Sequence, residues 1–214
     1  MRASVTRIKI CGITRVQDIE AVASYGAEAL GLVFYEKSPR CVTAQQAVQL
    51  VQALPPFISV VGLFVNAEAA FVREVIDQVP LSVLQFHGIE SPEFCMQFGK
   101  PYIKAIRVKV GVDLLQCAAL FHTAQGLLLD AHVDGKEGGT GATFDWTLIP
   151  SKLALPVILS GGLHTDNVAQ AIKQVRPYAV DVSSGVEASK GIKDAAKIAA
   201  FIEEVNNIDL QLSR

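Results

Sequence analysis

LLLDAHVDGKEGGTGATFDW, residues 127–146, is the stretch from which the architecture can be read. Three leucines lead into Asp130, and a run dominated by Gly, Lys, Glu and Thr follows. A short continuous apolar run, entered from Gln125 and Gly126, reads as a strand buried on both faces, as in a parallel sheet covered by helices. A carboxyl at the last position of such a strand is costly to hold unless it is partnered or used. Long loops of this kind in compact domains tend to be lids or binding loops.

Working outward, strand-like and helix-like runs alternate along the chain. Residues 7–11 (RIKIC), 29–34 (ALGLVF), 58–65, 82–86 (SVLQF), 102–108, 127–130, 156–159 (PVIL) and 178–182 read as eight strands. Helix signals fall between them. Thr14 with Gln17, and Thr43 with Gln46, have capping-box spacing. Ser91-Pro92-Glu93 joins an N-cap, a proline at the first helical position and an acid in the first turn. Residues 144–149 predict a short, weak helix with Trp146 in the core, and the last helix turns Ile198, Phe201, Ile202 and Val205 inward. Eight such units predict a single-domain (β/α)₈ TIM barrel over residues 1–206, with 207–214 a frayed polar tail; an open doubly wound sheet is the rival.

Composition narrows the function classes. Half of the 214 residues are hydrophobic, yet no apolar run nears the roughly 20 residues of a membrane span. The N-terminus lacks a signal-peptide pattern, and a net charge of −2 advertises neither nucleic acid nor membrane as a partner. Cys11, Cys41, Cys95 and Cys117 show no CxxC spacing, so a cytoplasmic protein with reduced thiols is expected.

In a barrel, catalytic groups stand at the C-terminal ends of strands. Those ends carry Cys11, the loop to Arg40, Asn66, His87, Arg107, Asp130, Gly161-Gly162, and Asp181 with Ser183-Ser184. The loops SGGL (160–163) and SSGVE (183–187) follow the seventh and eighth strands, the usual phosphate-binding region, where glycine lets backbone N–H groups reach an anion. Gly139–Gly141 of the sixth loop could add donors. The plain alternative is that these are turn glycines. Asp130 and Cys11 are the acid–base candidates. A general-acid Asp must be kept neutral and a general-base Cys drawn towards thiolate, and Lys9, in phase with Cys11, could assist that. Alone, Cys11 reads equally as a small buried hydrophobe and Asp130 as a cap or loop anchor. Arg40, in KSPR, suits a carboxylate, although a solvated surface arginine is its default. A structural hydrogen bond would equally explain His87 and Arg107.

Taken together, KICG (9–12), GLVFYEKSPR (31–40), VGLFVN (61–66), LQFHG (84–88), LLLDAH (127–132), GGTGATFDW (138–146), SGGL and DVSSGVE (181–187) closely resemble the phosphoribosylanthranilate isomerase family. The likeness runs from about residue 7 to 201. It implies the (β/α)₈ fold, no metal and no organic cofactor. The implied reaction is the third step of tryptophan biosynthesis, an Amadori rearrangement of N-(5-phosphoribosyl)anthranilate to 1-(o-carboxyphenylamino)-1-deoxyribulose 5-phosphate. Carried over motif by motif, it makes Asp130 the general acid and Cys11 the general base. Arg40 would hold the anthranilate carboxylate, and His87 and Asp181 would lie against the substrate. Gly141, Gly161, Gly162, Ser184 and Gly185 would bind phosphate. The partner expected is this small molecule alone, to a monomer or homodimer. One departure is ASKGIKD (188–194), where relatives often carry proline near the glycine.

Two rival functions remain at this level. The sister Amadori isomerase of histidine biosynthesis normally pairs Asp with Asp, so Cys11 speaks against it. A non-catalytic phosphosugar sensor would have no need of both titratable groups.

Overall fold

The computed structural model describes residues 5–131 and 143–213. Eight parallel strands close into a barrel in chain order: β1 (Arg7–Cys11), β2 (Ala29–Val33), β3 (Ser59–Phe64), β4 (Val83–Phe86), β5 (Tyr102–Val108), β6 (Gly126–Ala131), β7 (Val157–Leu159) and β8 (Ala179–Val182). Closure is made where β8 pairs with β1, Lys9 opposite Asp181 and Ile10 opposite Val182. The open-sheet rival is excluded by that pairing. Around the barrel lie α1 (Val16–Tyr25), α2 (Ala44–Gln52), α3 (Ala69–Gln78), α4 (Pro92–Met96), α5 (Leu114–Leu120), α6 (Thr165–Val175) and α7 (Ala195–Leu212). Among the described residues, the connection from β6 to β7 contributes one 3₁₀ turn, Trp146–Leu148, in place of the expected helix, and Trp146 is half-buried against the core.

The two-faced burial of β6 is what the leucine run requires. Leu127 and Leu129 pack outward among the helices, in the main core. Leu128 packs inward with Ile103, Ala105, Ile158 and Ala179 and plugs the barrel. Since side chains alternate along a strand, the next inward position is Asp130, one layer above that apolar plug.

The helix starts follow local chemistry in two of the three expected places. Thr43 and Gln46 form the full reciprocal capping box of α2, and Ser91 caps α4 through the Phe94 N–H with Pro92 inside the first turn. Thr14 does not cap α1. Its hydroxyl donates instead to the Gly191 carbonyl, and Arg15 occupies the cap position without capping the helix N–H groups, its guanidinium turned to Asp18 and the Lys193 carbonyl. That diversion ties the first loop to an element the periodicity did not predict. After β8 a 3₁₀ turn (Ser184–Val186) leads into an antiparallel hairpin of β9 (Glu187–Ser189) and β10 (Ile192–Lys193).

The C-terminal residues are part of the barrel's shell. In place of a tail from residue 207, α7 continues to Leu212, Ile208 is buried, and both Asp209 carboxylate oxygens accept from Thr6, one from its N–H at 2.5 Å and one from its hydroxyl at 2.8 Å. Ending the chain at Asn206 is therefore expected to destabilise it by about 3 kcal/mol or more, combining one buried aliphatic side chain with hydrogen bonds to a carboxylate. Urea unfolding measures this, and an unchanged midpoint would reduce residues 207–212 to a dispensable tail.

Candidate functional site

A cavity of about 670 Å³ opens at the C-terminal end of the barrel. It is lined by Cys11, Arg40, His87, Asp130, Gly161, Gly162, Asp181 and Ser184, so eight of the ten expected site residues meet in one place. Gly185 is adjacent, packed against the Leu163 carbonyl, and does not line the cavity. Gly141 lies outside the described residues. Arg107 stands opposite Asp130 in the β5–β6 register but is not on the cavity wall, and its buried Nε has no partner among the described residues.

The thiol side is built by β1, β2 and β8. Cys11 ends β1 and faces inward among Val33, Leu63 and Val65. Gly31 is its neighbour on β2, and a Cβ there would come within 2.8 Å of the Cys11 sulfur, so only glycine leaves room for the thiol. Lys9, two residues earlier on the same face, is buried and donates to Asp181 Oδ1 at 2.8 Å; the Ser160 hydroxyl donates to Asp181 Oδ2 at 3.2 Å. Burial works against the Lys9 charge, but Asp181 and Cys11 outweigh it and hold the ammonium's pKa above the ordinary lysine value. For Cys11 burial is the largest influence. It pushes the thiol's pKa up, Lys9 pulls it down, and the net shift is upward. The anticipated help from Lys9 thus has the right sign and the smaller size: the resting group is a thiol.

The carboxyl side is built by β4, β6 and β7. Asp130 Oδ1 accepts the N–H of Ala131 at 2.9 Å, and Oδ2 lies 3.0 Å from His87 Nε2. His87 Nδ1 lies 3.0 Å from the amide nitrogen of Gln85. Gly161, at φ +84°, passes so close that a Cβ would sit 2.9 Å from Asp130 Oδ1 and nearer still to the Ala131 nitrogen. This glycine is where the seventh loop turns over the carboxyl, which a side chain would block.

Arg40 is buried, contrary to the surface default. Its Nε and Nη2 grip Glu187 Oε1 and Oε2 at 2.6 and 2.8 Å, and Lys193 Nζ donates to Glu187 Oε1 at 3.0 Å. Burial would raise the Glu187 pKa, but Arg40 and Lys193 hold it below the usual glutamate value. Burial pulls Lys193 below the usual lysine range in spite of Glu187. Lys193 also donates to the Ser183 carbonyl at 3.0 Å, and the Ser183 hydroxyl donates to the Cys11 carbonyl at 3.0 Å. The unforeseen β9–β10 hairpin is therefore the clasp between the arginine and the thiol.

Sequence reasoning left Glu187 without a role and did not consider Lys193 or Gln85. Glu187 closed a quoted motif, but its partner stands on a loop 147 residues away. Gln85 carried a usable signal: two residues before His87, it shares that residue's face of the strand.

The chain can be set beside known proteins. The model of the family described as "PRAI: N-(5'phosphoribosyl)anthranilate (PRA) isomerase" matches residues 8–204. The N-(5'-phosphoribosyl)anthranilate isomerase of Thiobacillus denitrificans is 62% identical over 198 residues, covering 92% of this chain and 97% of that protein. The crystal structure of the Thermotoga maritima phosphoribosyl anthranilate isomerase superposes with a TM-score of 0.86 at 39% identity, covering 94% of this chain and 99% of that one. A phosphoribosyl anthranilate isomerase in complex with reduced 1-(o-carboxyphenylamino)-1-deoxyribulose 5-phosphate superposes at 0.81 with 36% identity, over 94% and 99%.

The elevated thiol pKa has a direct consequence. Alkylation of Cys11 by iodoacetamide, mapped by mass spectrometry, is expected to be slower at neutral pH than that of a free cysteine and to rise with pH beyond the free thiol's own titration. Lys9→Met removes the largest influence lowering the pKa, leaving Lys193 as the lesser one and Asp181 unbalanced, so it should slow the reaction further. Faster alkylation of that variant would contradict the role given to Lys9.

Proposed function

The chain belongs to the N-(5'-phosphoribosyl)anthranilate isomerase family, and from that premise we propose that Asp130 is the general acid and Cys11 the general base of its reaction. The chain is an isomerase of tryptophan biosynthesis. It converts N-(5'-phosphoribosyl)anthranilate to 1-(o-carboxyphenylamino)-1-deoxyribulose 5-phosphate by an Amadori rearrangement. The assignment of roles rests on one observation: a thiol and a carboxyl, each at the mouth end of its strand, line a single cavity large enough for the sugar.

The proton steps balance among the substrate, these two groups and solvent. Asp130 gives a proton to the furanose ring oxygen, the C1–O bond breaks, and the anthranilate nitrogen lone pair forms the C1=N bond of a protonated Schiff base. Cys11, as thiolate, removes the proton from C2; the electron pair forms the C1=C2 enolamine and neutralises nitrogen. The enol hydroxyl then loses its proton as C1 gains one, leaving the C2 ketone. Because the resting Cys11 is a thiol, it releases a proton to solvent before the C2 step and Lys9 stabilises the thiolate that results; Asp130 takes a proton back from solvent to close the cycle.

The remaining contacts follow from what each side chain has free. The Nε–Nη2 edge of Arg40 is held by Glu187, so the substrate carboxylate is left the Nη1–Nη2 end of the fork. Phosphate is assigned to the backbone of Gly161, Gly162, Ser184 and Gly185, with Gly141 carried by motif alone. His87 and Asp181 touch the substrate's interior side. Lys37 and Lys190 on the cavity rim add positive charge on the approach.

Cys11→Ala and Asp130→Asn should each lower kcat by about a hundredfold or more, the scale of losing an acid or base. The assay follows the fluorescence of phosphoribosylanthranilate made in situ. Full turnover by either variant would remove that residue from the chemistry. Arg40→Ala should raise KM far more than it lowers kcat, and an unchanged KM would sever the carboxylate contact.

A further inference from the structure

We propose that Gln85 is a positioning residue for the acid step: it fixes the tautomer of His87 and so the hydrogen bond that His87 gives to Asp130. The inference rests on the reading of Asp130 as proton donor and reaches one layer deeper into the barrel.

Gln85 is wholly buried on β4, directly across from Leu63 on β3 and Ile103 on β5. Its Nε2 lies 3.0 Å from His87 Nδ1, and His87 Nε2 lies 3.0 Å from Asp130 Oδ2. An amide nitrogen has no lone pair to offer, so it donates and Nδ1 accepts. The ring proton then sits on Nε2, aimed at Asp130. While Asp130 holds its proton this is a bond between neutral groups. As the proton passes to the ring oxygen, the acceptor becomes a carboxylate and the same bond becomes charge-assisted and stronger. An interaction that grows along the reaction coordinate accelerates the step rather than merely binding substrate. The opposite tautomer would turn the Nε2 lone pair on the newly formed anion and oppose it.

The surroundings argue that the amide is kept for this purpose. Gln85 Oε1 is buried without a partner among the described residues. An unpaired buried carbonyl destabilises a fold, and a leucine of similar volume between Leu63 and Ile103 would abolish that cost. What a leucine would lose is the donor to Nδ1.

The test uses the intact protein, ¹⁵N-labelled at histidine, with the His87 signals assigned by their loss in His87→Asn. At neutral pH the wild type should show a protonated Nε2 and a bare Nδ1; a protonated Nδ1, or a doubly protonated ring, overturns the proposal whether or not any variant folds. Gln85→Leu should give a mixture of tautomers and lower kcat about tenfold, the equivalent of one hydrogen bond to a charged group, with KM nearly unchanged. Gln85→Glu should move the proton to Nδ1 and lower kcat further. In an Asp130→Asn background, measured in a host lacking the enzyme, Gln85→Leu should cost nothing more. An equal loss in both backgrounds means that Gln85 does not act through Asp130, and the proposal fails. Full activity of Asp130→Asn itself would instead sink the acid assignment, leaving the ¹⁵N spectrum to judge the tautomer.

Discussion

A strand in a closed parallel barrel has no solvent face, and that constraint shapes everything at this site. Along β6 the outward positions, Leu127 and Leu129, belong to the helix-side core and the inward Leu128 to the barrel plug. On β6, where the lower inward position is filled by leucine, an ionisable group is held where the inward face runs out of barrel, at the mouth, and Asp130 occupies that position. The same rule puts Cys11 above Lys9 on β1, His87 above Gln85 on β4, and Asp181 above Ala179 on β8. Each functional side chain rests on a rigid strand, and its neighbour one layer below either seals the barrel or tunes the group above.

The layer below the reacting groups is polar on β1 and β4, through Lys9 and Gln85, and the hairpin beside it buries further charge. Lys9 is buried with Asp181, and Lys193 with Glu187 and Arg40. Buried ion pairs of this sort add little net stability, because desolvation cancels much of the attraction, yet removing one partner is severe. Their worth here is positional. Arg40 cannot swing while two of its nitrogens are held by Glu187, and Glu187 cannot leave while Lys193 holds it. The Glu90–Lys104 pair does a similar task under the fourth loop: Glu90 accepts the N–H groups of Asn66 and Gly88, while Lys104 donates to the Gly88 carbonyl, so the segment beyond His87 is braced from both sides.

What could be read from the chain alone was whatever depends on neighbours in sequence. The LLLD run, the Thr43–Gln46 box and the Ser91-Pro92 start are short-range signals, and they formed as expected. Thr14 had the same spacing as Thr43 and failed, because a tertiary acceptor, the Gly191 carbonyl, took its hydroxyl. The β9–β10 hairpin was missed for a related reason: two- and three-residue strands have no periodicity to detect, and their hold on the barrel runs through Lys193, Glu187 and Asp18. Residues 207–212 were expected to fray, but Ile208 is buried and Asp209 is a partner for Thr6 at the other end of the chain. Gathering the site was legible because strand ends converge in a barrel; the pairings within it were not, since each joins residues far apart in sequence.

The balance of charge in the cavity links binding to chemistry. Lys9, Arg40 and Lys193 are buried cations around the thiol side, and Asp181 and Glu187 are the carboxylates that face them. On that side three cations face two carboxylates, so the thiol stands in a positively biased wall. A substrate bearing both a carboxylate and a phosphate supplies what is missing, and analogues lacking either group leave a buried cation or a set of N–H donors unanswered. The same excess favours the thiolate, which is a second negative charge placed beside Lys9. Burial keeps that charge from forming at rest, and the cations of the thiol side, Lys9 first, offset part of that cost when the base is called on.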